Sequence, residues 1–123
     1  MGEHTSTESS VGPGFDYDIC VVGTGRVGLP LALSFMDAGR RVVGVDRDPV
    51  VREAVREGRM PWKEPGYDAL VAQRRFLVHA DMAIAGSARF VIVTVGTPLH
   101  WHVESDLGQV QAVLESLAPH LRA

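Results

Sequence analysis

The chain of 123 residues contains a single cysteine, Cys20, so an internal disulfide is excluded and a reducing compartment is the natural setting. It also lacks any apolar run approaching the ~20 residues that a membrane span needs. Residues Met1 to Gly14 are polar and acidic and do not have the pattern of a secretory signal. A cytoplasmic location with no membrane partner is therefore expected. The segment from Met1 to Ser6 matches a short myristoylation pattern, but it has no second anchor to make such a modification effective. Excess positive charge is missing too. Fifteen acidic residues outweigh 12 Lys and Arg, the net charge is -3, and the arginines are scattered, which excludes the basic stripe that captures nucleic acid. Internal repeats are absent.

What is present is a chain with 46% apolar and 22% charged residues, the balance of a soluble domain able to bury a core. Residues 1–14, rich in Ser, Thr, Glu and Gly, are expected to form a disordered tail. The remainder, 15–123, is expected to fold as one domain. Its opening strand ends in Asp18-Ile19-Cys20-Val21-Val22, an unbroken apolar run suited to a central parallel strand covered on both faces. Inside that run Cys20 reads as a buried, inert thiol rather than a nucleophile.

Directly after this strand comes Gly23-Thr24-Gly25-Arg26-Val27-Gly28, the Gly-x-Gly-x-x-Gly spacing between a strand and a helix. A dinucleotide's pyrophosphate needs donors without side-chain bulk, and the N-terminus of a helix supplies N-H groups and the positive end of a dipole. Gly23 suits the tight turn, Gly25 the approach of phosphate, and Gly28 close helix-strand packing. Val27, Leu31, Phe35 and Ala38 recur at helical spacing and are expected to face the sheet. Pro30 is placed in the first turn, and Gly39 at the C-terminal cap.

The second strand, Arg41 to Asp46, ends on a carboxylate 18 positions past Gly28, near the ~20 expected of the residue that takes a ribose hydroxyl pair. Asp46 has a plainer alternative as part of a helix cap with Asp48-Pro49. If it faces the ribose, its charge disfavours the extra phosphate of NADP and favours NAD, with the adjacent Arg47 keeping NADP open.

The rest of the chain continues the alternation. A helix with Val51 and Val55 on one face covers 49–59, a loop with two prolines follows, and a short helix is expected over Tyr67 to Arg74. Phe76 to His79 is expected to be a strand, Asp81 to Ala88 a helical crossover, and Arg89 to Val95 a strand. A last helix carries Leu107, Val110, Val113, Leu114 and Leu117 as its apolar positions. This order predicts an α/β fold, a Rossmann-like doubly wound parallel sheet of about four strands in the order 3-2-1-4 with flanking helices, incomplete relative to a full dinucleotide-binding unit. His100-Trp101-His102 could ligate a metal, but no third ligand is evident nearby and no metal is expected.

Several blocks of sequence are more specific than the glycine spacing. Gly23 to Ala32 (GTGRVGLPLA), Asp46-Arg47-Asp48-Pro49, Glu64-Pro65-Gly66, Val95-Gly96-Thr97-Pro98 and Asp106-Leu107 together resemble, in order and approximate spacing, the N-terminal domain of the UDP-glucose/GDP-mannose dehydrogenase family. The resemblance implies NAD as cofactor and oxidation of the C6 hydroxyl of a nucleotide sugar to a carboxylate, through a thioester on a cysteine of a later catalytic region. Cys20 does not match that nucleophile. No catalytic residue carries over, and a UDP-sugar would bind only with the region that this chain lacks. The cofactor-binding residues implied are Gly23, Gly25, Arg26, Val27, Gly28, Asp46 and Thr97. Arg26 stands where an aromatic residue is common, Val51 where a basic residue often helps hold the adenosine ribose, with Arg52 one place off, and Val95-Gly96 replaces the usual Val-Pro. A stand-alone dinucleotide-binding module and the N-terminal part of a β-hydroxyacid-type dehydrogenase are the alternatives.

Overall fold

The computed structural model describes residues 14–94 and 108–121. Four parallel strands form one sheet, β1 (Tyr17–Val22), β2 (Val42–Val45), β3 (Val78–His79) and β4 (Ala88–Val93), in the order β3-β2-β1-β4. The expected order 3-2-1-4 is thus the observed one. Around the sheet lie helices α1 (Gly28–Asp37), α2 (Pro49–Arg56), the one-turn α3 (Asp68–Val71) and α4 (Gly108–Leu117), with a 3-10 helix over Met82–Ser87 as the crossover into β4.

The central position of β1 follows from its composition. Its residues alternate between two covered faces: Ile19 and Val21 pack with α1, α2 and Phe76, and Cys20 and Val22 pack with Val43, Val45, Ala85 and Leu117. A strand buried on both sides needs apolar residues at successive positions, and Ile19 to Val22 supply them. Register is tight, with Ile19 level with Val42 on one side and Phe90 on the other.

Four expectations require correction. The apolar stripe Val27, Leu31, Phe35, Ala38 is not the buried face of α1. Val27 is 70% exposed and Ala38 is exposed, whereas Gly28, Leu29, Ala32, Leu33 and Met36 are buried. Apolar residues occur on more than one side of this helix, so its periodicity allows more than one inward phase. The contact of Gly28 with the turn decides among them, placing Gly28, Ala32 and Met36 in one inward i, i+4 row. In α4 the apolar set likewise splits, with Leu117 buried and Leu114 49% exposed.

The short helix expected over Tyr67 to Arg74 contracts to Asp68–Val71, and Arg74 adopts φ 57°, a left-handed conformation that cannot continue a helix. The strand expected over Phe76 to His79 keeps only Val78 and His79 in the ladder, while Phe76, 2% exposed, packs in the core. Residues 1–13 of the tail expected over 1–14, residues Val95 to Leu107, and residues 122–123 lie outside the described residues.

Candidate functional site

The glycine turn sits where β1 ends between β2 and β4. Gly23 N-H donates to the Val45 carbonyl at 2.8 Å, and Thr94 N-H donates to the Val22 carbonyl at 2.8 Å, so both neighbouring strands hold the turn at the carboxyl edge of the sheet. This is the switch point of an open α/β sheet, where connections leave to opposite faces and open a crevice. A cleft of about 420 Å³ lies there, lined by Val22, Gly23, Gly25, Asp46, Arg47 and Thr94 among others, with Met82 and Val113 as apolar wall.

The three glycines have different structural reasons. Gly23 adopts φ 94°, which L side chains resist. At Gly28 an added Cβ would lie 1.9 Å from the Gly23 carbonyl oxygen and 2.3 Å from Thr94 Oγ1, so the start of α1 can approach the turn only without a side chain. At Gly25 an added Cβ would meet nothing within 4 Å. Internal packing does not require glycine there; the open space faces a site where a ligand's phosphates can approach the backbone, as a dinucleotide site requires.

Asp46 is the polar centre of the cleft's edge. Its Oδ2 accepts from Thr24 N-H at 2.8 Å and from the Thr24 hydroxyl at 2.9 Å, and its Oδ1 accepts from Asp48 N-H at 2.9 Å. Its backbone is held as well, since its N-H donates to the His79 carbonyl at 2.9 Å and its carbonyl accepts from Arg52 Nη1 at 3.0 Å. The cap of α2 is a different residue: Asp48 accepts from Val50 N-H at 2.9 Å, with Pro49 in the first turn. The capping alternative for Asp46 therefore falls to Asp48. Two oxygens with lone pairs to spare and three donors already aimed at them make a fixed acceptor pair, to which a ribose diol can donate.

Two threonines that the sequence reading passed over hold this geometry. Thr24 is fully buried and ties the turn to β2 through Asp46. Thr94 ties it to β4, its hydroxyl donating to the Gly23 carbonyl at 2.6 Å. Thr24 occupies a variable position of the glycine motif and Thr94 lies 71 residues from its partner, so spacing alone gave neither signal. Arg52, the cation one place off the expected position, does reach the β2 terminus, while Val51 is buried in the core.

Of the implied cofactor-binding residues, Gly23, Gly25, Arg26, Val27, Gly28 and Asp46 converge on the turn and its cleft, with Arg26 and Val27 exposed. Thr97 and the His100-Trp101-His102 stretch lie outside the described residues. Among the described residues no group of three or more His, Cys, Asp or Glu side chains could hold a metal, and no helix is long and apolar enough to cross a membrane. Cys20 is fully buried, and burial pushes its thiol pKa up to about 12, the opposite of an activated nucleophile.

Comparison with known proteins agrees with this geometry. UDP-glucose 6-dehydrogenase of Pseudomonas aeruginosa is 36% identical over 109 residues, covering 85% of this chain and 24% of that protein. UDP-glucose 6-dehydrogenase TuaD of Bacillus subtilis is 34% identical over 108 residues, covering 84% and 23%. The chain thus spans about a quarter of the length of these relatives. Among solved structures, a ternary complex of GDP-mannose dehydrogenase from Pseudomonas aeruginosa superimposes with TM-score 0.79 at 27% identity, over 83% of this chain and 24% of that one. A UDP-glucose dehydrogenase from Pyrobaculum islandicum gives 0.75 at 28% identity, over 85% and 26%. The family model for the NAD binding domain matches residues 17–123, most of the chain, and on that match the chain belongs to the UDP-glucose/GDP-mannose dehydrogenase family as its NAD binding domain.

Proposed function

We propose that this domain holds NAD with its pyrophosphate on the turn formed by Gly23, Gly25, Arg26, Val27 and Gly28, its adenosine ribose on Asp46, and with Thr97, four residues past β4 in sequence, as a further cofactor-binding residue. The observation that carries this reading is the carboxylate of Asp46, fixed by Thr24 and Asp48 on the same cleft that Gly25 lines. A diol can donate to the remaining lone pairs, and the negative charge at that position opposes a 2′-phosphate. The N-H groups at the start of α1 meet the pyrophosphate charge without a side chain intervening at Gly25.

In the whole protein this domain serves a nucleotide-sugar 6-dehydrogenase that oxidises a sugar C6 alcohol to a carboxylate in the cytoplasm. Bound NAD supplies the hydride acceptor. The residues of this chain bind and orient it. The nucleophile, the acid-base groups and the UDP-sugar site come from a catalytic region outside this sequence, with the folded domain beginning near Phe15.

Calorimetric titration with NAD and NADP tests the cofactor assignment. The wild-type domain is expected to bind NAD in preference to NADP, and Asp46→Ala to weaken NAD by the loss of charged hydrogen bonds worth about 1.5–3 kcal/mol each. No heat from folded wild-type protein would refute NAD binding by these residues, and an unchanged NAD affinity in Asp46→Ala would remove the ribose from Asp46.

A further inference from the structure

Arg26 departs from the aromatic residue common at its place in the motif, and the structure shows what the departure brings. The guanidinium lies over the ring of Trp62, 5.2 Å from its centroid. Trp62 belongs to the loop after α2 and packs, partly buried, against the core on the α1 side of the sheet. Its indole N-H donates to Glu64 Oε1 at 3.1 Å, two residues on in the same loop, which helps to fix the ring. Among the described residues no carboxylate pairs with Arg26. Among the described residues it is thus a cation without a carboxylate partner, one residue past the glycine that opens on the cleft.

An arginine packed on an aromatic face keeps its charge and most of its N-H donors available, because the ring attracts the cation without accepting its hydrogen bonds in the plane. Such a group beside a turn that receives phosphates has an obvious counter-ion in the pyrophosphate. We propose that Arg26 binds the pyrophosphate of the dinucleotide through its guanidinium, and that Trp62 is the positioning residue that holds the guanidinium beside the turn. The inference rests on the NAD-binding reading above and adds to the backbone N-H groups of the turn a side-chain charge particular to this sequence. It also gives the loop carrying Glu64-Pro65-Gly66 a part in cofactor affinity, since Glu64 orients the ring that orients Arg26.

The test separates phosphate recognition from recognition of the rest of the ligand. NAD and adenosine, a probe without phosphate, are titrated into wild type, Arg26→Gln, Trp62→Phe and Trp62→Leu at low and high salt. Arg26 is exposed, so its substitution does not disturb the core. Phe keeps an aromatic face at position 62, Leu keeps only apolar bulk, and both lose the bond to Glu64, so their difference isolates the ring.

Arg26→Gln is expected to weaken NAD about 10- to 100-fold, to leave adenosine within about twofold, and to flatten the salt dependence of NAD binding. Trp62→Leu is expected to weaken NAD about two- to fivefold relative to Trp62→Phe. Unchanged NAD affinity in Arg26→Gln, or an equal loss for adenosine, overturns the role of Arg26. Equal affinities in the Phe and Leu variants overturn the positioning role of Trp62. A wild-type domain that binds no NAD overturns the functional reading and this inference together, which distinguishes that failure from the other two.

Discussion

At the scale of single residues, the chemistry divides between groups whose role was visible in the sequence and groups that only their partners define. The place of Asp46 on the cleft was readable, because a carboxylate at the end of a second strand has a fixed distance from the glycine turn. Thr24 and Thr94 belong to the second, since each acts through hydrogen bonds to atoms remote in sequence. Cys20 was legible as core. Its burial has a measurable consequence, because a thiol pKa raised from 9.0 to about 12 makes the folded state retain a proton that the unfolded chain gives up. The contribution is fully present below pH 9 and is lost as pH rises toward 12. Unfolding free energy is therefore expected to fall above pH 9 with a slope of up to about 1.4 kcal/mol per pH unit from this group. Denaturant titrations of wild type and Cys20→Ala across pH 8–10.5 check this, and parallel pH profiles would show that Cys20 makes no such contribution.

At the scale of elements, existence and order were readable and boundaries and facing were less so. The apolar run of β1 and the Asp48-Pro49 start of α2 stand where their residues place them. The phase of α1 was not readable, because Val27, Leu29, Leu31, Leu33 and Phe35 put apolar side chains on several sides of one helix. A contact across the turn, Gly28 against the Gly23 carbonyl, makes the choice. The same turn yields a pair of predictions with opposite signatures. Gly28→Ala is expected to destabilise the fold by about 3 kcal/mol, since its Cβ would overlap backbone. Gly25→Ala, with nothing within 4 Å of its added Cβ, is expected to change stability by about 0.5 kcal/mol or less and to weaken NAD binding by obstructing the phosphates. Chemical denaturation and calorimetry on both variants check the contrast. A Gly25→Ala domain that binds NAD like wild type would remove the pyrophosphate from that glycine.

At the scale of the whole molecule, three layers form around a sheet whose centre and edges differ in support. β1 pairs on both sides and is covered on both faces, while β3 pairs along two residues at one edge. Native-state hydrogen exchange is expected to show the amides of Cys20 to Val22 opening only with global unfolding and those of β3 exchanging through cheaper local openings. Comparable protection in β3 and β1 would show that the sheet opens as one unit.

What the sequence alone determined was the alternation of strands and helices, the strand order, the glycine turn with Asp46 beyond it, and the resemblance to the family to which the chain belongs. These depend on local composition and on spacing along the chain, which a one-dimensional pattern carries in full. The tertiary structure decided which face of α1 is buried, that Asp48 and not Asp46 caps α2, that Thr24 and Thr94 clamp the turn to its two neighbouring strands, and that Arg26 lies over Trp62. The threonine and Arg26 contacts join segments distant in sequence, and the phase of α1 and the choice between Asp46 and Asp48 turn on packing and on which donor each carboxylate meets, quantities that do not exist until the chain is folded.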